Sequence, residues 1–544
     1  MFVRTKSSVQ KGKRYEYLQL VEGYREDGKV RQRVVANLGR KDELIASGRL
    51  DDIIRSITAF SQELRVSERS AGPVPDGRAA RSWGPALVFR RLWEEQGLPE
   101  ILRKLAAGRR FRFDVDRVAF ALALQRLCAP GSDRQGAAWL RTVECPGFED
   151  IELQHLYRTV AFLAEVRDDL EAELFRRDHD GATEVNVMFM DTTSTYIYRS
   201  EPTELRKRGY SRDRMPDYVQ VVLCVAVDAD GFPVAWEILP GNTADKNALV
   251  SLLEKMRGRF KVRHCVVVGD RGMIGAETIA LLEGHDEAPF DYILGCRMRA
   301  QNEVREEVLG RAGRYHHVEE NLDVKEVLVE GARYVVCRNP IEARKDAEDR
   351  AAIVAKLEEA LGQGPKGLIG NKGYARFLRG AKGAWTIDED AVAADARLDG
   401  KFVLRTNTTL ETADVARAYK GLWRVERAFR EEKSTLEIRP VYHHTDEGTI
   451  GHIAACFLAL RLEVDLQQRL DNLATDVPWP DLMLDLAEVR AMDVAVDGRL
   501  YRTRPPLVRH AHLAFAAAGV RPPPVHTLLG IAPPRPPDAG DPVL

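Results

Sequence analysis

The chain has 544 residues, 44% of them hydrophobic and 30% charged, which excludes disorder over its whole length and fits several folding units. Lys and Arg total 81 against 83 Asp and Glu, a formal charge of −2, so any nucleic-acid surface must come from local segregation of charge. Seven cysteines without a CxxC exclude a zinc ribbon, and the lack of an apolar leader or a long uncharged apolar run points to a cytoplasmic protein with no membrane span.

Residues 1–66 read as a β-hairpin region. Tyr15, Tyr17, Leu18 and Leu20 lead to a turn at Glu26-Asp27-Gly28, followed by Val30, Val34, Val35 and Leu38. Such a ribbon lies on DNA or another subunit, or is a small structural hairpin. Residues 67–82 read as a linker. Residues 84–178 carry helical spacing and a basic cluster, Arg103, Lys104, Arg109, Arg110 and Arg112, which is either a grip on DNA backbone or a solvated loop.

From 185 to 299 the order is strand, strand, strand, helix, strand, helix, strand. That is an α/β core opened by an antiparallel meander. Residues 300–400 mix alternating segments, a charged helix and a Gly/Lys-rich stretch, and read as an inserted subdomain. Residues 401–470 return to a strand, KFVLRTNT, and two helices, near 412–435 and 449–470. Residues 471–544 end in a proline-rich tail, expected to be extended or disordered.

Two acids close apolar strands. Asp191 precedes Thr192-Thr193-Ser194, and Asp270 precedes Arg271-Gly272. Strand-end acids in an α/β core project into the crevice where ligands bind, although each alone is equally a turn or cap residue. On the helix near 412–435, Tyr419, Trp423, Glu426, Arg430 and Lys433 share one stripe, beside an apolar stripe of Leu422, Val425, Phe429 and Leu436. A salt-bridged surface helix would carry the same pattern. Two Asp and one Glu make an all-oxygen set suited to Mg²⁺ or Mn²⁺, and two such ions about 4 Å apart serve in-line phosphoryl transfer. Tyr419, Arg430 and Lys433 suit phosphate oxygens. So do Arg271, which reads equally as part of a structural ion pair, and the basic loop carrying Arg206, Lys207, Arg208 and Arg212, for which a DNA-backbone contact is favoured over a solvated loop.

With these residues in place, the chain resembles a DDE transposase of the insertion-sequence-four superfamily. The N-terminal hairpin and the GNTADK and GDRGMIG runs most resemble its sixteen-thirty-four family. The family's helix signature is Tyr, two residues, Arg, three residues, Glu, six residues, Lys. Tyr419, Glu426 and Lys433 match it, and Leu422 stands at the Arg position. Asp191 and Asp270 match the family's two Asp contexts.

The resemblance covers about residues 1–470. It implies a ribonuclease H-like core interrupted by a mainly β insertion, with helical regions before and after. It also implies Asp191, Asp270 and Glu426 as metal-binding catalytic acids, metal-dependent nicking at an element's ends, and transfer of the freed 3′-OH into target DNA. Trp423 becomes a stacking candidate. The implied partners are double-stranded DNA, as inverted repeats and target, and a second copy in a synaptic dimer on the bacterial nucleoid. Two other readings stay open: an end-binding protein that does not cut, and a metal-dependent nuclease that does not join.

Overall fold

The computed structural model describes residues 2–10, 13–26, 29–47, 49–50, 53, 76–179, 184–198, 201–260, 262, 264–284, 290–299, 301–363, 376–381, 384–434, 436–475 and 477–533. Residues 67–75 of the expected linker, the Gly/Lys-rich stretch at 364–375 and the proline-rich end at 534–544 lie outside them. The chain divides into two compact units: Met1–Arg78 with Asp493–Arg502 and Thr527–Leu544, and Ala79–Met492 with Thr503–His526.

In the first unit β1 (Phe2–Gln10), β2 (Lys13–Glu26) and β3 (Lys29–Arg40) form an antiparallel sheet in that order, followed by α1 (Lys41–Ala46). β2 and β3 are the expected hairpin, with Glu26 opposite Lys29. β1 adds a strand that the sequence pattern did not announce. Leu18, Val21 and Leu44 supply its buried apolar side chains.

After β4 (Asp76–Ser82), the second unit opens with helices α2 (Gly84–Glu95), α3 (Leu98–Ala106), α4 (Val115–Cys128), α5 (Asp133–Trp139) and α6 (Leu153–Asp178). α4 is buried on all sides, as a helix apolar all round must be. Asp114 caps its first turn, and a Ser132–Gln135 capping box starts α5.

The sheet elements follow: β5 (Glu184–Tyr196), β6 (Gln220–Val227), β7 (Pro233–Pro240), α7 (Asp245–Gly258), β8 (His264–Gly269), α8 (Ala276–Glu283) and β9 (Asp291–Gly295). β5, β6 and β7 pair antiparallel, while β8 pairs parallel with β5 and β9 parallel with β8. Side chains alternate across the sheet: Phe189, Val225 and Val268 face one core, whereas Met190, Cys224 and Val267 face the other. Burial on both faces explains why these strands read as continuous apolar runs.

The 300–400 segment is not a separate β unit. β10 (His316–Glu319), β11 (Leu322–Val329) and β12 (Ala332–Arg338) extend the main sheet, joined to β9 through β15 (Lys401–Thr406). The full order is β10-β11-β12-β15-β9-β8-β5-β6-β7. Between β12 and β15 lie α9 (Pro340–Gln363), the hairpin β13 (Leu378–Ala381) and β14 (Ala384–Ile387), and α10 (Glu389–Ala396). They pack around Leu357 and Phe377.

α11 (Thr412–Lys420) and α12 (Trp423–Ser434) precede α13 (Asp446–Asn472), α14 (Trp479–Ala487) and α15 (Ala511–Ala517). α13 packs on α6 and α4, so both helical regions share one core. At their crossing a Cβ on Gly451 would lie 2.0 Å from the Val160 carbonyl oxygen, so only glycine fits. The helices of the C-terminal region bring Leu482 and Leu486 into this core, and the proline-rich tail is not wholly extended, because α15 adds Phe515 to it. No described helix is long and apolar enough to cross a membrane.

A buried ion cluster fastens the helical layer to the sheet edge. Lys255 of α7 reaches Glu171 of α6 at 2.7 Å and Glu237 of β7 at 2.9 Å. Glu171 accepts the backbone N–H of Trp236, and Lys255 donates to the Trp236 carbonyl, so the outer edge of β7 is satisfied at that residue. Lys255→Met leaves buried Glu171 without its cation and Glu237 with only Arg167 at 3.6 Å, and should cost about 3–5 kcal/mol in chemical denaturation. An unchanged midpoint would show that the cluster is not needed to hold this edge.

Candidate functional site

β5 and β8 run parallel, with Phe189 beside Val268 and Met190 beside Gly269. The residues that follow are Asp191, within β5, and Asp270, just past the end of β8, so the two acids that lie 79 residues apart in sequence become neighbours. Asp191 does not end its strand: β5 continues to Tyr196 along β6, and only the pairing with β8 stops there. By alternation Asp191 shares a face with Phe189, and Asp270 with Val268.

Burial pushes the Asp191 carboxyl up to about 6, from an ordinary 3.8, with Asp270 and Asp245 adding to the rise. The Thr192 N–H and the Arg212 guanidinium oppose it. Tyr419 of α11 donates its hydroxyl to Asp270 Oδ1 at 3.1 Å, and Arg271 Nε stands 3.9 Å from the same oxygen. Burial and that acceptor raise the Tyr419 phenol, which keeps it a donor. A Cβ on Gly295 would sit 2.4 Å from the Tyr419 hydroxyl, so glycine there admits the contact.

The single helix expected over 412–435 is broken at Gly421. Hydrogen bonds tighten to Leu422 N–Tyr419 O, Arg424 N–Gly421 O and Val425 N–Leu422 O. A Cβ on Gly421 would meet the Phe189 ring at 2.4 Å, and the Arg424 guanidinium lies 5.6 Å from that ring's centre. The break therefore rests on the Asp191 face of β5, with Tyr419 before it and Glu426 after it.

The one-stripe arrangement of Tyr419, Trp423 and Glu426 does not survive this turn. Tyr419 points to Asp270, while Trp423 is exposed in a separate cleft with Asp230, Arg424, Gln468 and Asp471. Glu426 is exposed on α12. Among the described residues no three His, Cys, Asp or Glu side chains stand close enough to hold a metal, so Glu426 is not gathered with Asp191 and Asp270. The side chains of Arg430 and Lys433 lie outside the described residues. The two paired carboxylates, all oxygen and partly desolvated, do suit a hard divalent ion.

The basic loop after β5 divides. Arg206 is buried and bonded to Asp446, Thr203 and the His444 carbonyl, so it serves the fold rather than presenting charge to DNA. Lys207 pairs with Glu204, and exposed Arg208 donates to the Asp217 carbonyl. Arg212 joins Thr192 Oγ1 and Asp245 Oδ1, both at 2.7 Å. Arg271 is exposed at the mouth of a cleft of about 510 Å³ shared with Tyr419, Arg297 and Lys401. Asp245 was missed as a site neighbour; its place in GNTADK at a helix start reads as capping, and only the fold brings it to Thr192.

Residues 185–462 match the family model described as the transposase DDE domain, which implies a ribonuclease H-like core in this mixed α/β fold. Residues 3–70 match the model described as the IS1634 family transposase, N-terminal domain. The chain thus belongs to the DDE transposases of the IS1634 family. Comparison with curated proteins gives no match.

Two outcomes check this geometry. The folded chain holds the Asp191 proton to about pH 6, whereas an unfolded Asp loses it near 3.8. Its stability therefore falls as pH rises between these values and stays lower above them. Asp191→Asn removes that penalty and should stabilise the protein by up to roughly 3 kcal/mol at neutral pH, the gain closing by about pH 4. Equal stability at neutral pH would return the carboxyl to an ordinary value. Leu422 is 8% exposed and belongs to the core. Leu422→Arg, although it restores the family signature, should lower stability by about 3 kcal/mol, and a gain in stability would place residue 422 at the surface.

Proposed function

We propose that the chain cuts DNA at the ends of an insertion element and joins the freed 3′-OH to target DNA, with Asp191, Asp270 and Glu426 as its acidic set. The observation that carries this reading is the adjacency of Asp191 and Asp270 on parallel strands within the matched DDE domain. The neighbouring Asp191 and Asp270 carboxylates would hold Mg²⁺ or Mn²⁺, with Glu426 as the third ligand that the family signature implies, and two such ions would supply activation of the attacking oxygen and stabilisation of the leaving one.

The chain's own groups do the rest. Tyr419 fixes the rotamer of Asp270 by engaging Oδ1. Arg271, beside Asp270, and Arg212, beside Thr192, offer guanidinium forks to phosphate oxygens on either side of the acids. Arg208, Lys207, Arg430 and Lys433 extend the phosphate contacts, and Trp423 takes a distorted base. Glu426, exposed on α12 just after the Gly421 break, is the third acid by its place in the family signature. The protein works in the cytoplasm on double-stranded DNA, as two copies holding the element's inverted repeats together.

The test incubates the purified full chain with Mg²⁺ and the DNA flanking its own gene, and maps nicks. Cuts should fall at the inverted repeats. Asp191→Asn, Asp270→Asn and Glu426→Gln should each lower cutting by more than about 10³-fold while gel-shift binding persists. Normal cutting by Glu426→Gln would remove that residue from the acidic set, and random cutting without strand transfer would favour a nuclease.

A further inference from the structure

A second cleft, of about 520 Å³, opens beside the segments that follow the two acids, although neither acid lines it. Its wall includes Thr193 and Ser194, which follow Asp191, and Gly272, which follows Asp270. Its charged lining is Arg212, Lys246 and Arg297 against the carboxylate of Asp245, which pairs with Arg212 at 2.7 Å, while Lys246 also meets Glu277 at 2.8 Å, so Arg297 carries the excess positive charge. A phosphate-bearing strand suits that balance.

At the rim stands Tyr210, 87% exposed. An aromatic ring so bare contributes nothing to the core, yet the backbone beneath it is held from several sides. The Tyr210 carbonyl accepts from Gln220 Nε2 at 3.1 Å, and Gln220 is buried. Gly209 is pressed on Gly241: a Cβ there would come 2.1 Å from the Gly241 oxygen. Lys207 and Gln220 exchange backbone hydrogen bonds at 3.1 and 2.9 Å. Beyond the ring, Arg212 N donates to Ser194 Oγ at 3.1 Å. The fold fixes this loop and leaves its ring in water.

We propose that Tyr210 is a stacking platform for an unpaired DNA base at the cleft beside Asp191 and Asp270. A rigid loop spends no ordering entropy on binding, and an aromatic face takes any base, while Arg212, Lys246 and Arg297 hold the backbone that carries it. The role rests on the DNA-processing reading above and adds to it a contact for a base displaced from the duplex during cutting.

The experiment measures binding of the full chain, in Ca²⁺, to two DNAs by fluorescence anisotropy. One is a fully paired duplex of the element's own end; the other has its three terminal bases left unpaired. Tyr210→Ala should weaken binding to the unpaired end by roughly tenfold and to the paired duplex by less than about twofold, with Tyr210→Phe close to the parent. An unchanged Tyr210→Ala overturns the proposal and leaves the transposition reading standing. Equal loss in Tyr210→Phe also overturns it, because the hydroxyl and not the ring would be the contact. A parent chain that binds neither DNA removes both. Because Tyr210 is exposed, each variant should keep the parent's thermal midpoint.

Discussion

The parallel register between β5 and β8 is the constraint on which the site depends. Side chains on a strand alternate between faces, so a slip of one residue would turn Asp191 or Asp270 to the opposite face. The register is specified because both faces are buried: Phe189 and Val268 must enter one core while Met190 and Val267 enter the other. Two acids that repel one another are held side by side by the apolar residues immediately before them. Part of the cost appears in the raised carboxyl of Asp191.

Tyr419 and the helix break translate that constraint to the rest of the chain. The hydroxyl of Tyr419 reaches Asp270 only because Gly295 has no side chain and because Phe402 stacks on the tyrosine ring at 5.6 Å. Phe189, one alternate step before Asp191, seats the turn at Gly421. The core therefore positions site residues from two strands and one helix junction with few polar contacts. Arg461, buried on α13, does the matching work for the helical layer, pairing with Asp178 and the Pro233 carbonyl.

Much of the central architecture was legible in the sequence. The run from β5 to β9 follows the predicted order because buried strands are uniformly apolar and their turns carry Asp and Gly, as in Asp228–Gly231. Asp191 and Asp270 were legible as acids that follow apolar runs, although β5 continues past Asp191. Other features were not. Periodicity continues through Gly421, so the break, which is set by contact with Phe189, left no mark on the pattern. Arg206 looked like its basic neighbours, because its partner Asp446 lies 240 residues away. β10–β12 read as an island, because alternation does not say which sheet a strand joins.

β15 closes the seam between β9 and β12, yet it begins 401 − 295 = 106 residues after β9 ends. At about 5–20 residues per second, a ribosome leaves the flank of β9 open for roughly 5–20 s after that strand is made. During that time the nascent polypeptide already carries both strand acids but neither the tyrosine nor the junction that sits over them. Synthesis thus holds back assembly of the centre until Tyr419, 419 − 295 = 124 residues beyond the end of β9, has been made.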